Sequence, residues 1–407
     1  MRFSDYPISK ELISQLDKLG FKRPTDIQFK AIQPILNGED VFGIAQTGTG
    51  KTAAFVIPIL DRLMRNKGTF KEPRCIIMVP TRELAEQIKQ VFEEIGAQTK
   101  LRITAIVGGV GQNKQIKDLQ NGVDILIATP GRVFDLRSQG YLSLDRIQFL
   151  VLDEADRMLD LGFAHDMKAI HKLSPKKNRQ TLFFSATIDK KIKALAYDLV
   201  REAIRIQISP KDPVSKNIEH AFIRVEMDDK RFFLENILQE YPDLKYVVFV
   251  RTKVRCERVV AALKRVGIDS EPLHGGVEQN ERFRILSDFK SGINNVLITT
   301  DVSARGIDIP GVDYVINYDL PTDSEQYVHR IGRTGRGINK GQALSFCSKE
   351  EENVIEEINN YLGYEIEELE LSDNDYSTII KDSEDISYDW KKLIDEANKE
   401  EGTNEYW

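Results

Sequence analysis

A chain of 407 residues, 41% hydrophobic and 30% charged, has the composition of a globular protein and the length for two cores. No apolar stretch reaches membrane-spanning length, and Met1-Arg2-Phe3-Ser4-Asp5 lacks the apolar core of a secretory signal. Cys75, Cys256 and Cys347 form no CxxC pair, so they are expected to be reduced thiols of a cytoplasmic protein; the five histidines show no spacing that would hold zinc. The net charge of −7 hides an asymmetry. From residue 350 onward the chain carries 20 Asp and Glu against 4 Lys and Arg, which leaves residues 1–349 at +9. A basic body can attract a polyanion, and an acidic tail would repel it or compete with it.

In chain order, apolar runs at 41–45, 75–79, 103–107, 124–128, 148–152 and 181–185 alternate with amphipathic helical stretches. The pattern returns at 246–250, 296–300, 313–318 and 343–347. This alternation predicts an α/β fold with two tandem parallel-sheet domains. The stretch Gln207-Ile208-Ser209-Pro210-Lys211-Asp212-Pro213-Val214-Ser215 has two prolines and no apolar periodicity, which places a linker at 209–217. The expected domains are 30–208, preceded by a region 1–29, and 218–371. Residues 372–407 read as an acidic, flexible tail with one short helix around 388–397.

Residues 45–52 read Ala45-Gln46-Thr47-Gly48-Thr49-Gly50-Lys51-Thr52, after an apolar run and before a helical one. That is the context a phosphate-binding loop needs. Gly48 and Gly50 let the backbone turn its N–H groups toward phosphate oxygens at a helix N-terminus. Lys51 can reach the β- and γ-phosphates, and the Thr52 hydroxyl can hold Mg²⁺. A Gly-rich turn before a helix is the plainer reading of this segment alone. Asp153-Glu154, after the apolar run Phe149-Leu150-Val151-Leu152, argues against it. A carboxylate at the end of a buried strand is where a phosphate-loop enzyme holds its metal. Asp153 is the expected magnesium residue and Glu154 the expected activator of the attacking water; the plainer reading is an acidic helix cap.

Further polar motifs follow strands: Pro80-Thr81-Arg82-Glu83, Gly108-Gly109, Thr129-Pro130-Gly131-Arg132, Ser185-Ala186-Thr187, Arg251-Thr252 and Asp301. Open parallel sheets bind ligands at the carboxyl ends of their strands. Each half therefore presents its chemistry on one rim, and two facing rims would make an interdomain cleft.

The ordered set of motifs resembles the DEAD-box RNA helicases, from about Phe3 to Tyr361. Gly20-Phe21 through Pro24-Thr25 to Gln28 is followed by 45–52, 80–87, 129–132, Asp153-Glu154-Ala155-Asp156, 185–187, 300–310 and His329-Arg330-Ile331-Gly332-Arg333-Thr334-Gly335-Arg336. General texture is closest to the bacterial RhlE-like subgroup. The resemblance implies two RecA-like domains with ATP and RNA sites in the interdomain cleft, and an RNA-stimulated ATPase that requires ATP and Mg²⁺. Gln28 resembles the residue that reads adenine, for which a side-chain amide has both donor and acceptor. Phe21 resembles the ring that stacks on the base, and Phe3 the aromatic that supports it. Arg333 and Arg336 resemble arginine fingers that stabilise transition-state charge. Asp308 is similar to a residue that senses nucleotide from the second domain.

The same resemblance implies RNA contacts at Thr81, Arg82, Gly109, Thr129 and Arg132 in the first half. In the second half it implies Arg251, Gly275, Gln279, Arg282, Thr300 and Arg305. Contacts of this kind meet phosphate and ribose and carry little sequence specificity. Ser185, Thr187 and His329 are expected to couple the two sites. The implied function is an ATP-dependent RNA helicase, monomeric in its core, that opens short duplexes and remodels RNA–protein complexes. An ATP-gated RNA clamp and a DNA translocase are the alternatives. Relatives in the RhlE-like subgroup often end in a basic, flexible tail, whereas this chain ends acidic, which leaves open the docking of a protein partner or a self-limiting role for that end.

Overall fold

The computed structural model describes residues 1–46, 48–65, 71–208, 214–304, 309, 311–335, 340–372 and 374–381, with Val302 described by its backbone alone. Thr47, Arg305, Asp308, Arg336, most of the expected linker and the expected helix at 388–397 lie outside them. The chain divides into two compact units, Met1–Pro210 and Lys211–Trp407.

The first unit carries β1 (Val41–Ile44), β2 (Cys75–Met78), β3 (Ile103–Ile106), β4 (Ile125–Ala128), β5 (Phe149–Leu152), β6 (Gln180–Ser185) and β7 (Ile204–Gln207). They form one parallel sheet in the order β3-β4-β2-β5-β6-β1-β7. Its central strands are apolar throughout and buried on both faces, as a helix-covered parallel sheet requires. Phe55, Phe92 and Phe184 pack on one face; Phe42, Met158 and Phe183 pack on the other.

The second unit carries β8 (Ile218–Arg224), β9 (Tyr246–Phe249), β10 (Glu271–Leu273), β11 (Val296–Thr299), β12 (Tyr314–Asn317), β13 (Gly341–Cys347) and β14 (Glu367–Glu368). Its sheet is again parallel, in the order β10-β11-β9-β12-β13-β8-β14. Matching helices open the same way in both units. Thr81 Oγ1 accepts the Leu84 N–H at 3.3 Å at the start of helix Arg82–Ile95, and Thr252 Oγ1 accepts the Arg255 N–H at 3.2 Å at the start of helix Lys253–Arg265.

All ten expected strands are present. β7, β8, β10 and β14 were not expected. The residues after Leu371 are also not wholly a loose tail. Residues 374–381 form a helix, and the Tyr376 ring lies 4.9 Å from that of Phe233.

Candidate functional site

Sheet order sorts the first unit's motifs along one rim. The loops after β1 and β5 carry the expected nucleotide residues, the end of β6 carries the expected coupling residues Ser185 and Thr187, and the loops after β2, β4 and β3 carry the expected RNA residues. Because β5 lies between β6 and β2, the nucleotide and RNA groups adjoin without mixing.

At the end of β1, Gly48 and Gly50 adopt φ +80° and +90°, the left-handed backbone that lets the loop curl into helix Lys51–Arg65. Thr49 Oγ1 donates to Gln46 O at 2.7 Å, and buried Ala45 closes the strand. Gln28 is buried, and its carboxamide spans two backbones: Oε1 accepts the Thr25 N–H at 3.0 Å, and Nε2 donates to Gly50 O at 3.2 Å. The residue expected to read the base therefore also grips the loop after β1. Phe3 meets the half-buried Phe21 edge-on, with centroids 5.9 Å apart.

Lys51 is buried, and its Nζ has no hydrogen-bond partner among the described residues. Asp153 is buried at the end of β5, and its pKa is pushed up to about 6, chiefly by burial; Lys51 opposes the shift and Glu154 adds to it. An orphaned buried ammonium beside a desolvated carboxylate suits a polyphosphate with a divalent cation. The donor set therefore fits ATP and Mg²⁺, with Thr52 one residue beyond Lys51. Glu154 has φ 51° and ψ 50°, unusual for a side chain of its size, and pairs with Arg157 at 3.5 Å. Backbone strain of this kind is costly and concentrates at functional positions.

Asp156 was not assigned a role from sequence. Its Oδ2 accepts the N–H groups of Ala186 and Thr187 at 2.9 and 3.0 Å, which ties the β5 loop to the end of β6. Ser185 is fully buried, and its Oγ accepts the Thr187 N–H at 3.3 Å. The tetrad at 153–156 was the available signal, but the partner is 31 residues away in sequence.

The first unit's RNA candidates cluster. Gly109 has φ +67°, and a Cβ there would overlap the Arg82 guanidinium. Thr129 Oγ1 accepts the Gly108 N–H at 3.4 Å, and buried Arg132 donates to Val110 O at 2.9 Å. In the second unit, Arg251 pairs with buried Glu351 at 2.9 Å; Glu351 also holds the buried Lys230 ammonium at 2.5 Å. Arg282 donates to His274 O at 3.1 Å, next to Gly275, and Gln279 opens the helix Gln279–Ser291 that carries Arg282. Thr300 is buried, and its N–H reaches Leu273 O at 3.4 Å.

Arg330 was also missed. Fully buried, it clasps Asp301 through two nitrogens at 2.6 and 2.7 Å and lies over the Phe249 ring at 5.0 Å. Arg333 is buried too, and its Nε donates to His329 O at 3.2 Å.

Among the described residues no helix is long and apolar enough to cross a membrane. A DEAD/DEAH box helicase model matches residues 25–195, and a helicase conserved C-terminal domain model matches residues 229–337. The chain is 43% identical over 373 residues to the ATP-dependent RNA helicase RhlB of Shewanella frigidimarina (strain NCIMB 400), spanning 90% of this chain and 85% of that protein. It is 42% identical over 362 residues to the ATP-dependent rRNA helicase RRP3 of Eremothecium gossypii, spanning 89% and 74%. Among solved structures it resembles S. cerevisiae Dbp5 bound to RNA and ADP BeF3, with a TM-score of 0.81 and 32% identity, over 95% of this chain and 99% of that one.

Proposed function

The chain belongs to the DEAD-box family of ATP-dependent RNA helicases, and we propose that it hydrolyses ATP on RNA to open short duplexes and remodel RNA–protein complexes. The observation that carries the chemistry is the buried Lys51 ammonium, without a hydrogen-bond partner among the described residues, beside the desolvated Asp153 carboxylate. In this reading Lys51 and the backbone after Gly48 bind the phosphates. Thr52 and Asp153 hold magnesium, which supplies charge neutralisation at the β- and γ-phosphates. Glu154 orients the attacking water. Phe21 and Gln28 take the base, and Gln28 reports its presence to the loop through Gly50.

Arg333 and Arg336 act in the same turnover from the second unit, with Asp308 sensing the nucleotide. Thr81, Arg82, Gly109, Thr129 and Arg132, with Arg251, Gly275, Gln279, Arg282, Thr300 and Arg305, contact the RNA backbone. Small residues and guanidinium groups suit phosphate and ribose, so RNA is bound with little sequence preference. The Asp156 contact to Thr187 supports a coupling role for Ser185 and Thr187, and His329 serves the same end in the second unit. The relatives do not single out the RhlE-like subgroup suggested by sequence texture.

The test is strand separation of a short RNA duplex with ATP, run beside the same assay with a non-hydrolysable analogue. Opening that requires hydrolysable ATP and recurs over several turnovers supports the helicase reading. Long-lived RNA binding without opening would replace it with the ATP-gated clamp.

A further inference from the structure

The second unit holds a groove of about 550 Å³ between helices Lys230–Glu240 and Lys253–Arg265, and its lining includes none of the residues assigned above to ATP or RNA. Its lining pairs apolar surface with charge: Met227 and Tyr318 sit among Arg231, Arg255, Arg258 and Arg265, four cations that outnumber the carboxyl groups of Asp228 and Glu235. Arg255 lies over the Tyr318 ring at 5.3 Å, and Arg231 and Arg258 are exposed. A half-apolar groove rimmed with guanidinium groups suits an acidic segment that carries aromatic side chains.

The chain supplies such a segment at this place. Helix 374–381 is docked on the residues that flank the groove. Tyr376 Oη donates to Asp229 Oδ2 at 2.8 Å and accepts the Glu226 N–H at 3.1 Å. Ile379 packs into the same core cluster as Phe233 and Leu234. Met227 and Arg231, in the groove wall, are within two residues of these anchors. Beyond Lys381 come 26 residues with nine acidic and three basic side chains. They include Glu384-Asp385-Ile386-Ser387-Tyr388-Asp389-Trp390. Even a few extended residues reach about 3.3 Å each, so the segment is long enough to enter the groove.

We propose that the acidic segment 382–407 docks intramolecularly in this arginine-lined groove of the second unit, with the residues around Tyr388 and Trp390 as its apolar anchor. The occupant is this chain's own C-terminal segment, chosen because the groove and the anchored helix adjoin and their charges are opposite. Docking of this kind shields the groove's cations from RNA and keeps the acidic segment off the RNA rim.

The chain's two tryptophans, Trp390 and Trp407, both lie in this segment, so selectively excited tryptophan fluorescence reports on it alone. The experiment uses the full-length protein carrying Trp407→Phe, which leaves Trp390 as the sole tryptophan. Docking predicts blue-shifted emission and restricted acrylamide quenching. Arg231→Glu with Arg258→Glu should red-shift the emission and lower the docked-to-released ratio about tenfold, the effect of two exposed ion pairs. Added salt should release the segment in the parent. Reversing Asp385 and Asp389 to Lys in the groove variant should restore protection, which also shows that the variant is folded. Free-solvent quenching of Trp390 in the parent, or protection that ignores groove charge, overturns the proposal. Protection that vanishes on dilution overturns it in favour of a second copy.

Discussion

The Thr187 N–H donates to Asp156 Oδ2 at 3.0 Å, and the same oxygen takes the Ala186 N–H at 2.9 Å. One carboxylate oxygen thus fixes the backbone at the end of β6 from the loop after β5. Asp156→Asn weakens two charge-assisted bonds, each worth roughly 1.5–3 kcal/mol. ATP affinity should change little, while duplex opening per ATP hydrolysed falls several-fold. Parallel ATPase and unwinding assays check this; equal losses in both would remove the coupling role.

Lys51 and Glu154 should separate binding from chemistry. Lys51→Ala removes the buried cation proposed to face phosphate, so nucleotide affinity and turnover should fall together. Glu154→Gln keeps the shape and loses the charge, so ATP still binds while hydrolysis drops at least about a hundredfold. Titration with a fluorescent ATP analogue beside steady-state ATPase distinguishes the two, and near-normal turnover in Glu154→Gln would refute its role.

Gly109→Ala should injure RNA binding selectively. The residue sits at φ +67°, and the new methyl group would overlap the Arg82 guanidinium. Displacing Arg82 should raise the RNA concentration for half-maximal ATPase stimulation about tenfold, with unchanged ATP affinity. Unchanged RNA dependence would mean that Arg82 does not contact RNA.

Glu235, buried on helix Lys230–Glu240, makes stability depend on pH. Burial raises its pKa from the ordinary 4.5 to about 7, against the opposing charge of Arg231 one turn away. Below about pH 4.5 both folded and unfolded chains hold this proton. Between 4.5 and 7 only the folded chain holds it, so its contribution to stability falls as pH rises and levels off above 7. Glu235→Gln should therefore stabilise the protein at pH 8 by about 1–2 kcal/mol and leave it nearly unchanged at pH 4.5. Thermal unfolding at the two pH values reads this difference. Arg255 and Arg258 also line the groove containing Glu235 and are unaltered by the substitution.

The strands that were legible from sequence are those buried on both faces, such as Cys75–Met78 and Phe149–Leu152, whose residues are all apolar. The unread strands lack that signature. β7 alternates, with Ile206 alone buried, as one face of an edge strand does. β8 mixes Glu219 and His220 into its run. β10 is three residues long and contains Pro272, tolerated because β10 is an edge strand and can forgo one ladder donor. Helix 374–381 was hidden because its burial rests on a few contacts, notably those of Tyr376 and Ile379, within an acidic, polar stretch.

Sequence alone determined which residue stands at the carboxyl end of which strand, because strand, turn and helix are contiguous in the chain and each leaves a local pattern. That was enough to mark Lys51, Asp153, Glu154, Thr81 and Arg251. Tertiary structure alone decided strand order, and with it that the β1, β5 and β6 loops adjoin on one stretch of rim. It also decided the partners of the buried charges: Asp156 with the β6 end, Arg330 with Asp301, Glu351 with Lys230 and Arg251. The physical reason is that a buried charge must find its counter-charge or donor in space, and these partners lie 29 to 121 residues apart along the chain.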